Sequence, residues 1–227
     1  VYLPKDYSAS SKKYPVIYMH DAQNLFDAKT SYVGEWNVDE TLDSINAQVI
    51  VIGIEHGGDK RMEELTPYPH PKYAGGKADA YLDFIVNTLK PKVDATYRTK
   101  TNAKNTAIMG SSLGGLVSFY AALKYPEVFG KVGCFSPSFW FGRKELNDLM
   151  AETKDFDAKV YFLCGDDEGD ACKLNQKRDR CEPDQKCHGE SPDFPFRIAP
   201  LCDSSAKPSI RTARGPQSLA LTACSSL

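Results

Sequence analysis

The sequence predicts an α/β fold: a mostly parallel sheet covered by helices on both faces. Two observations carry that prediction. The candidate strands are continuous apolar runs rather than alternating ones, and a helical pattern separates most of them from the next. A third observation bounds it, since 227 residues with 41% hydrophobic and 26% charged residues suit one large domain better than two.

Residues 15–20 (PVIYMH) form a β-branched and aromatic run that stops at polar residues, and read as the first buried strand. A modest helix is expected from Glu35 to Ile45. Residues 49–54 (VIVIGI) are nearly all β-branched and predict the second strand. The next helix has the clearest period, with Ala78, Tyr81, Leu82, Ile85, Val86 and Leu89 at i, i+3, i+4, i+7, i+8 and i+11, and Pro91 is expected to end it. Residues 106–109 predict a third strand, followed by a helix from Leu113 to Lys124 that stops before Pro126. Lys131 to Phe135 predict a fourth strand, Lys144 to Lys154 a helix, and Lys159 to Cys164 a fifth strand.

The averages conceal a split. All 12 Tyr, both Trp and every Val lie at or before residue 161. From Ala171 onward come five of the seven Cys (Cys172, Cys181, Cys187, Cys202, Cys224) and six of the 14 Pro, with no helical or strand period. The expected organisation is therefore an α/β core over residues 1–170 and an irregular Cys/Pro-rich tail over 171–227. The tail has no C-x2-C knuckle, and His188 is its one imidazole, so no metal site and no cofactor is expected. Cys134 and Cys164 fall on predicted buried strands and read as small apolar residues.

Charge excludes other classes. Lys and Arg number 28 against 30 Asp and Glu, a net charge of −2, so no basic field exists to hold a nucleic acid. No run reaches eighteen apolar residues, and a membrane span is not expected. Val1 opens inside a strand-like phrase with no basic or apolar leader, as in a mature form or a fragment. Compartment (cytoplasmic, or periplasmic or secreted after loss of a leader) and oligomeric state stay open.

The third strand ends in Gly110, Ser111, Ser112, Leu113 and Gly114, a G-x-S-x-G pattern with Ser112 at its centre. A serine on a tight strand-to-helix turn projects its hydroxyl over the sheet, and such a turn leaves no room for Cβ atoms two residues to either side. The helix start places backbone N–H groups, that of Leu113 included, where an oxyanion would form. Ser111 reads as a structural neighbour. The second oxyanion donor should follow an earlier strand, where Ala22 or Gln23 could supply the amide. A Ser–acid–His triad in this fold runs in that chain order. Glu168 or Asp167, after the fifth strand, would be the acid that orients an imidazole. His20, His56 and His70 precede Ser112, which leaves His188 as the base.

Five phrases resemble one known family: residues 14–27 (YPVIYMHDAQNLFD), 61–68 (RMEELTPY), 97–99 (YRT), 110–116 (GSSLGGL) and 135–140 (FSPSFW). They are similar to the bacterial esterases of the esterase D-like branch of α/β-hydrolases, related to siderophore trilactone esterases and to feruloyl or acetyl-xylan esterases. The resemblance covers residues 1–170. It implies an α/β-hydrolase fold with Ser112 as nucleophile, and it favours Glu168 as the acid. Residues 21–23 look like the family's Asp-Gly-Gln oxyanion loop, with Ala22 in place of Gly. Trp140 and Arg61 are implied on the acyl or leaving-group side, their alternatives being core packing and a surface ion pair. Members normally continue to a His-Asn-Glu-like phrase that is not found after Asp170, and the family's leading strands are expected to be missing before Val1. The function implied is a serine carboxylic ester hydrolase acting on a small-molecule, aryl or acetyl ester. The rival readings are an acyltransferase on the same nucleophile and a catalytically impaired hydrolase-fold protein.

Overall fold

In the computed structural model, residues 1–32, 34–153, 156–165 and 168 are described. The first apolar run forms β1 (Val16–His20), followed by α1 (Val38–Ser44) and β2 (Ile50–Ile54). A short α2 (Arg61–Glu64) leads into an antiparallel hairpin of β3 (Pro69–His70) and β4 (Ala74–Gly75). Next come α3 (Ala78–Phe84), a π-helical turn (Ile85–Leu89) and α4 (Lys90–Thr96). The chain then forms β5 (Thr106–Ser111), α5 (Leu113–Lys124), β6 (Lys131–Phe135), α6 (Arg143–Glu152) and β7 (Lys159–Leu163).

Five strands make one sheet in the order β2-β1-β5-β6-β7, and every neighbouring pair is parallel. The chain moves outward from β1 to β2, then crosses back to place β5 on the other side of β1. Strand order therefore reverses between β1 and β5, and a crevice at the carboxyl ends of those two strands is where open α/β sheets bind ligands. The register sets Ser111 opposite Phe135 and Phe135 opposite Leu163, so β5, β6 and β7 end flush.

Side chains of β1 alternate between two cores, as the pleat requires. Val16 and Tyr18 join the larger core with Leu82, Ile85, Leu116, Phe119 and Leu146. Ile17 and Met19 join a smaller one with Leu25, Val38 and Leu42. Helices α3 to α6 thus cover one face and α1 the other, as the continuous apolar strands predict. Helix α5 lies against β5 and β6 and is buried from Leu113 to Leu123. Its Phe119 packs edge-on against Phe139 at 5.4 Å and is 1% exposed, a burial that contributes roughly 2–3 kcal/mol.

Four expectations need correcting. The first helix starts at Val38 rather than Glu35, because Asn37 adopts a left-handed conformation (φ 50) that a right-handed helix cannot include. Pro91 does not end the third helical segment. Lys90 N–H reaches back to Ile85 O, a five-residue bond, and the widened turn lets Pro91 enter at the start of α4, where its missing N–H is tolerated. Helix α6 spans Arg143–Glu152, shifted one residue earlier and ending two residues sooner than expected. β7 ends at Leu163, so Cys164 is exposed beyond the strand, whereas Cys134 is buried in β6. Among the described residues no helix is long and apolar enough to cross a membrane. The expected tail, 171–227, lies outside the described residues.

Candidate active site

Ser112 joins β5 to α5 with φ 57 and ψ −118, a backbone conformation disfavoured for any residue with a Cβ. The flanking glycines explain how the turn closes. A Cβ on Gly110 would stand 2.9 Å from the carbonyl carbon of Gly114, and one on Gly115 would meet Pro137 at 3.0 Å. The turn is pinned by Ser112 N–H donating to Phe135 O (2.9 Å) and by Ser138 N–H donating to Ser112 O (3.0 Å). Leu113 opens α5, so its N–H has no partner within the helix.

Across the switch point, β1 runs into His20 and Asp21. Asp21 also has a positive φ, here in the left-handed region (φ 59, ψ 47), and introduces a 3-10 turn over Ala22–Asn24. The N–H groups of Ala22 and Gln23 open that turn and make no bond within it, whereas Asn24 N–H closes it on Asp21 O (2.9 Å). The turn lies against the elbow. A Cβ on Gly114 would be 3.3 Å from both Asp21 Oδ2 and His20 Cβ. Ala22 in turn packs on Gly53, where an added Cβ would come within 2.9 Å of its methyl.

Arg61 donates from Nε and Nη2 to the two carboxylate oxygens of Asp21, at 2.6 and 2.8 Å. Asp21 holds the guanidinium above its usual pKa, the hydrogen bond outweighing desolvation. The Gln23 side chain ties the same turn to the β2–α2 loop, donating to His56 O (3.0 Å) and accepting from His56 N–H (3.3 Å). Trp140 is 44% exposed and clusters with Tyr73, His70 and Phe141 beside the β3–β4 hairpin.

Glu168 follows β7, and its Oε1 accepts from Ser136 Oγ (2.6 Å) and from Gly165 N–H (2.9 Å). Ser136 follows β6, one strand closer to Ser112, so the flush ends of β5, β6 and β7 bring the Ser112 turn and Glu168 to the same edge of the sheet. Two strand spacings, roughly 10 Å, separate those strand ends. Asp167 and His188 lie outside the described residues.

The three described histidines are engaged elsewhere. His20 Nδ1 lies 2.8 Å from the Tyr81 hydroxyl, and burial pushes its pKa down to about 4. His56 Nδ1 accepts from Gly58 N–H, and His70 Nδ1 from Lys72 N–H. Among the described residues the side-chain partner of Ser112 Oγ is Ser138 Oγ, at 3.0 Å. Ser136 and Ser138 have no role in the sequence reading, although both stand in the phrase 135–140. Their signal was a pair of polar residues at the carboxyl end of a buried strand, where parallel sheets place their chemistry.

A serine held at positive φ between a parallel strand and a helix, beside the switch point of the sheet, defines the nucleophile-elbow architecture of the α/β-hydrolase fold. The chain belongs to the family described as "Putative esterase", whose model matches residues 1–179. It is 29% identical over 213 residues to protein YbbA of Bacillus subtilis, covering 91% of this chain and 82% of that one, a match that extends beyond residue 170. It is 31% identical over 134 residues to a siderophore triacetylfusarinine C esterase of Aspergillus fumigatus, covering 56% of this chain and 45% of the relative. Among solved structures, an IroE-like serine hydrolase from Shewanella oneidensis superposes with a TM-score of 0.58 at 25% identity, covering 71% of this chain. The chain spans 54% of that structure.

Proposed function

We propose that the protein is a serine carboxylic ester hydrolase that works through an acyl-enzyme on a small-molecule ester, aryl or acetyl in type. Ser112 Oγ attacks the ester carbonyl while its proton passes to a histidine, for which chain order supplies His188. Glu168, with Asp167 as the alternative, orients that imidazole and stabilises the imidazolium. The N–H groups of Leu113 and of Ala22 or Gln23 hold the oxyanion of the tetrahedral intermediate. The alcohol then leaves with the proton from the imidazolium, and water repeats the sequence on the acyl-serine.

The observation that carries this reading is the positive-φ turn at Ser112 pressed, at Gly114, against the Asp21–Asn24 loop. That apposition brings two helix starts, from different strands and with N–H groups that make no bond within their own turns, to one edge of the sheet. Relatives whose names specify siderophore ester cleavage support the ester as substrate class. A fluorophosphonate probe tests the assignment. The expected result is stoichiometric labelling mapped to Ser112, lost together with p-nitrophenyl acetate hydrolysis in Ser112→Ala. Label on another residue, or hydrolysis that survives the substitution, would overturn it.

A further inference from the structure

We infer that Arg61 is a positioning residue for the oxyanion hole, acting through its ion pair with Asp21 rather than by touching the ester. The inference rests on the proposed role of Ser112 as nucleophile. The candidate donors at Ala22 and Gln23 follow directly on Asp21, so their direction is set by how Asp21 is held. Asp21 occupies a left-handed conformation that Asp usually supports with a local side-chain hydrogen bond, yet its side chain does not cap its own turn. Both of its oxygens are taken by the Arg61 fork instead, which fixes the carboxylate in plane as well as in position.

The pair is partly shielded, with side-chain exposures of 29% for Arg61 and 11% for Asp21, so solvent screens it only in part. On its other side Asp21 Oδ2 faces Gly114 in the first turn of α5. The carboxylate is therefore wedged between the guanidinium and the elbow helix. Gln23 adds a second clasp through the backbone of His56, so the β2–α2 loop and the start of α2 grip the oxyanion turn at one point each. Charge matters as well as geometry. An unneutralised Asp21 carboxylate at this edge would oppose negative charge developing on the ester oxygen, and the guanidinium cancels it.

The test compares Arg61→Met, Arg61→Lys, Asp21→Asn and the double variant Arg61→Met/Asp21→Asn with the unmodified chain on p-nitrophenyl acetate. Losing the alignment of one oxyanion donor lowers kcat by about 100-fold, so Arg61→Met is expected to lose that much in kcat while KM moves less than about threefold. Arg61→Lys keeps the charge without the fork and is expected to fall between the two, at about tenfold. It also serves where Arg61→Met does not fold. In the double variant the bare carboxylate is gone, so its loss is expected to be smaller than the product of the two single losses. Phenylboronic acid, which binds a nucleophilic serine as a tetrahedral anion, should weaken in parallel with kcat/KM, a response that a merely structural role would not give.

A rise in KM with kcat retained, and no coupling to Asp21, would mean that Arg61 contacts the ester and would overturn the inference alone. Activity that survives Ser112→Ala would instead overturn the nucleophile assignment, and the inference with it.

Discussion

Acid is expected to weaken the fold through His20. This residue ends β1 directly behind the elbow, is 2% exposed, and its Nε2 has no hydrogen-bond partner among the described residues. Burial is the largest influence on the ring and pushes its pKa from 6.5 to about 4; Asp21 opposes the shift and Arg61 adds to it. The unfolded chain takes up this proton near pH 6.5, whereas the folded chain resists it until near pH 4. Between those values the unfolded state binds more protons, so the free energy of unfolding falls as the pH drops. At 1.36 kcal/mol per pH unit, the loss between pH 7.5 and 4.5 comes to about 2–3 kcal/mol from this one group. The assay is urea unfolding followed by Trp fluorescence at several pH values, in the unmodified chain and in His20→Asn, which keeps a polar atom toward Tyr81. Carboxylates titrate in both proteins, so the difference between the two curves isolates His20. It should be smaller at pH 4.5 than at pH 7.5 by about 2 kcal/mol. Parallel curves would show that His20 takes its proton without cost in the folded state, and the burial argument would fail.

Other consequences concern the elbow and the acid. Gly110→Ala forces a Cβ to 2.9 Å from backbone of Gly114, whereas Gly114→Ala meets its neighbours at 3.3 Å. The first should cost about 1–3 kcal/mol in urea unfolding and slow fluorophosphonate labelling, and the second should cost less in both. Equal costs would mean that the turn does not depend on the close approach at Gly110. Ser136→Ala removes the hydroxyl 2.6 Å from Glu168 Oε1. A hydrogen bond to a charged group is worth about 1.5–3 kcal/mol, so kcat/KM should fall by at least about tenfold. An unchanged value would remove Glu168 as the acid held by that bond.

The central fold was legible because parallel strands buried on both faces must be apolar throughout. Residues 15–20, 49–54 and 131–135 announce themselves in that way, and the helix Leu113–Lys124 is found with the bounds expected. The elbow was legible for a steric reason, since Gly110 stands where backbone approaches too closely for a Cβ, whereas Gly114 meets only side chains, at 3.3 Å. The β3–β4 hairpin was not, because two-residue strands are too short to show a period. Continuation past Pro91 depends on a π turn that no composition signals. The partners of the candidate site residues were hidden for a different reason. Ser138 meets Ser112, Ser136 meets Glu168 and Arg61 meets Asp21 across separations of 26, 32 and 40 residues. Those meetings are produced by strand register and loop packing, and spacing along the chain does not encode them.

The most direct measurement follows acetyl transfer from p-nitrophenyl acetate by rapid mixing, acid quench and mass analysis of the intact chain and its peptides. A single added acetyl group is expected on the peptide that contains Ser112, formed no more slowly than steady-state turnover and absent from Ser112→Ala. Full turnover by Ser112→Ala, or an acetyl intermediate carried by any other residue, would contradict it.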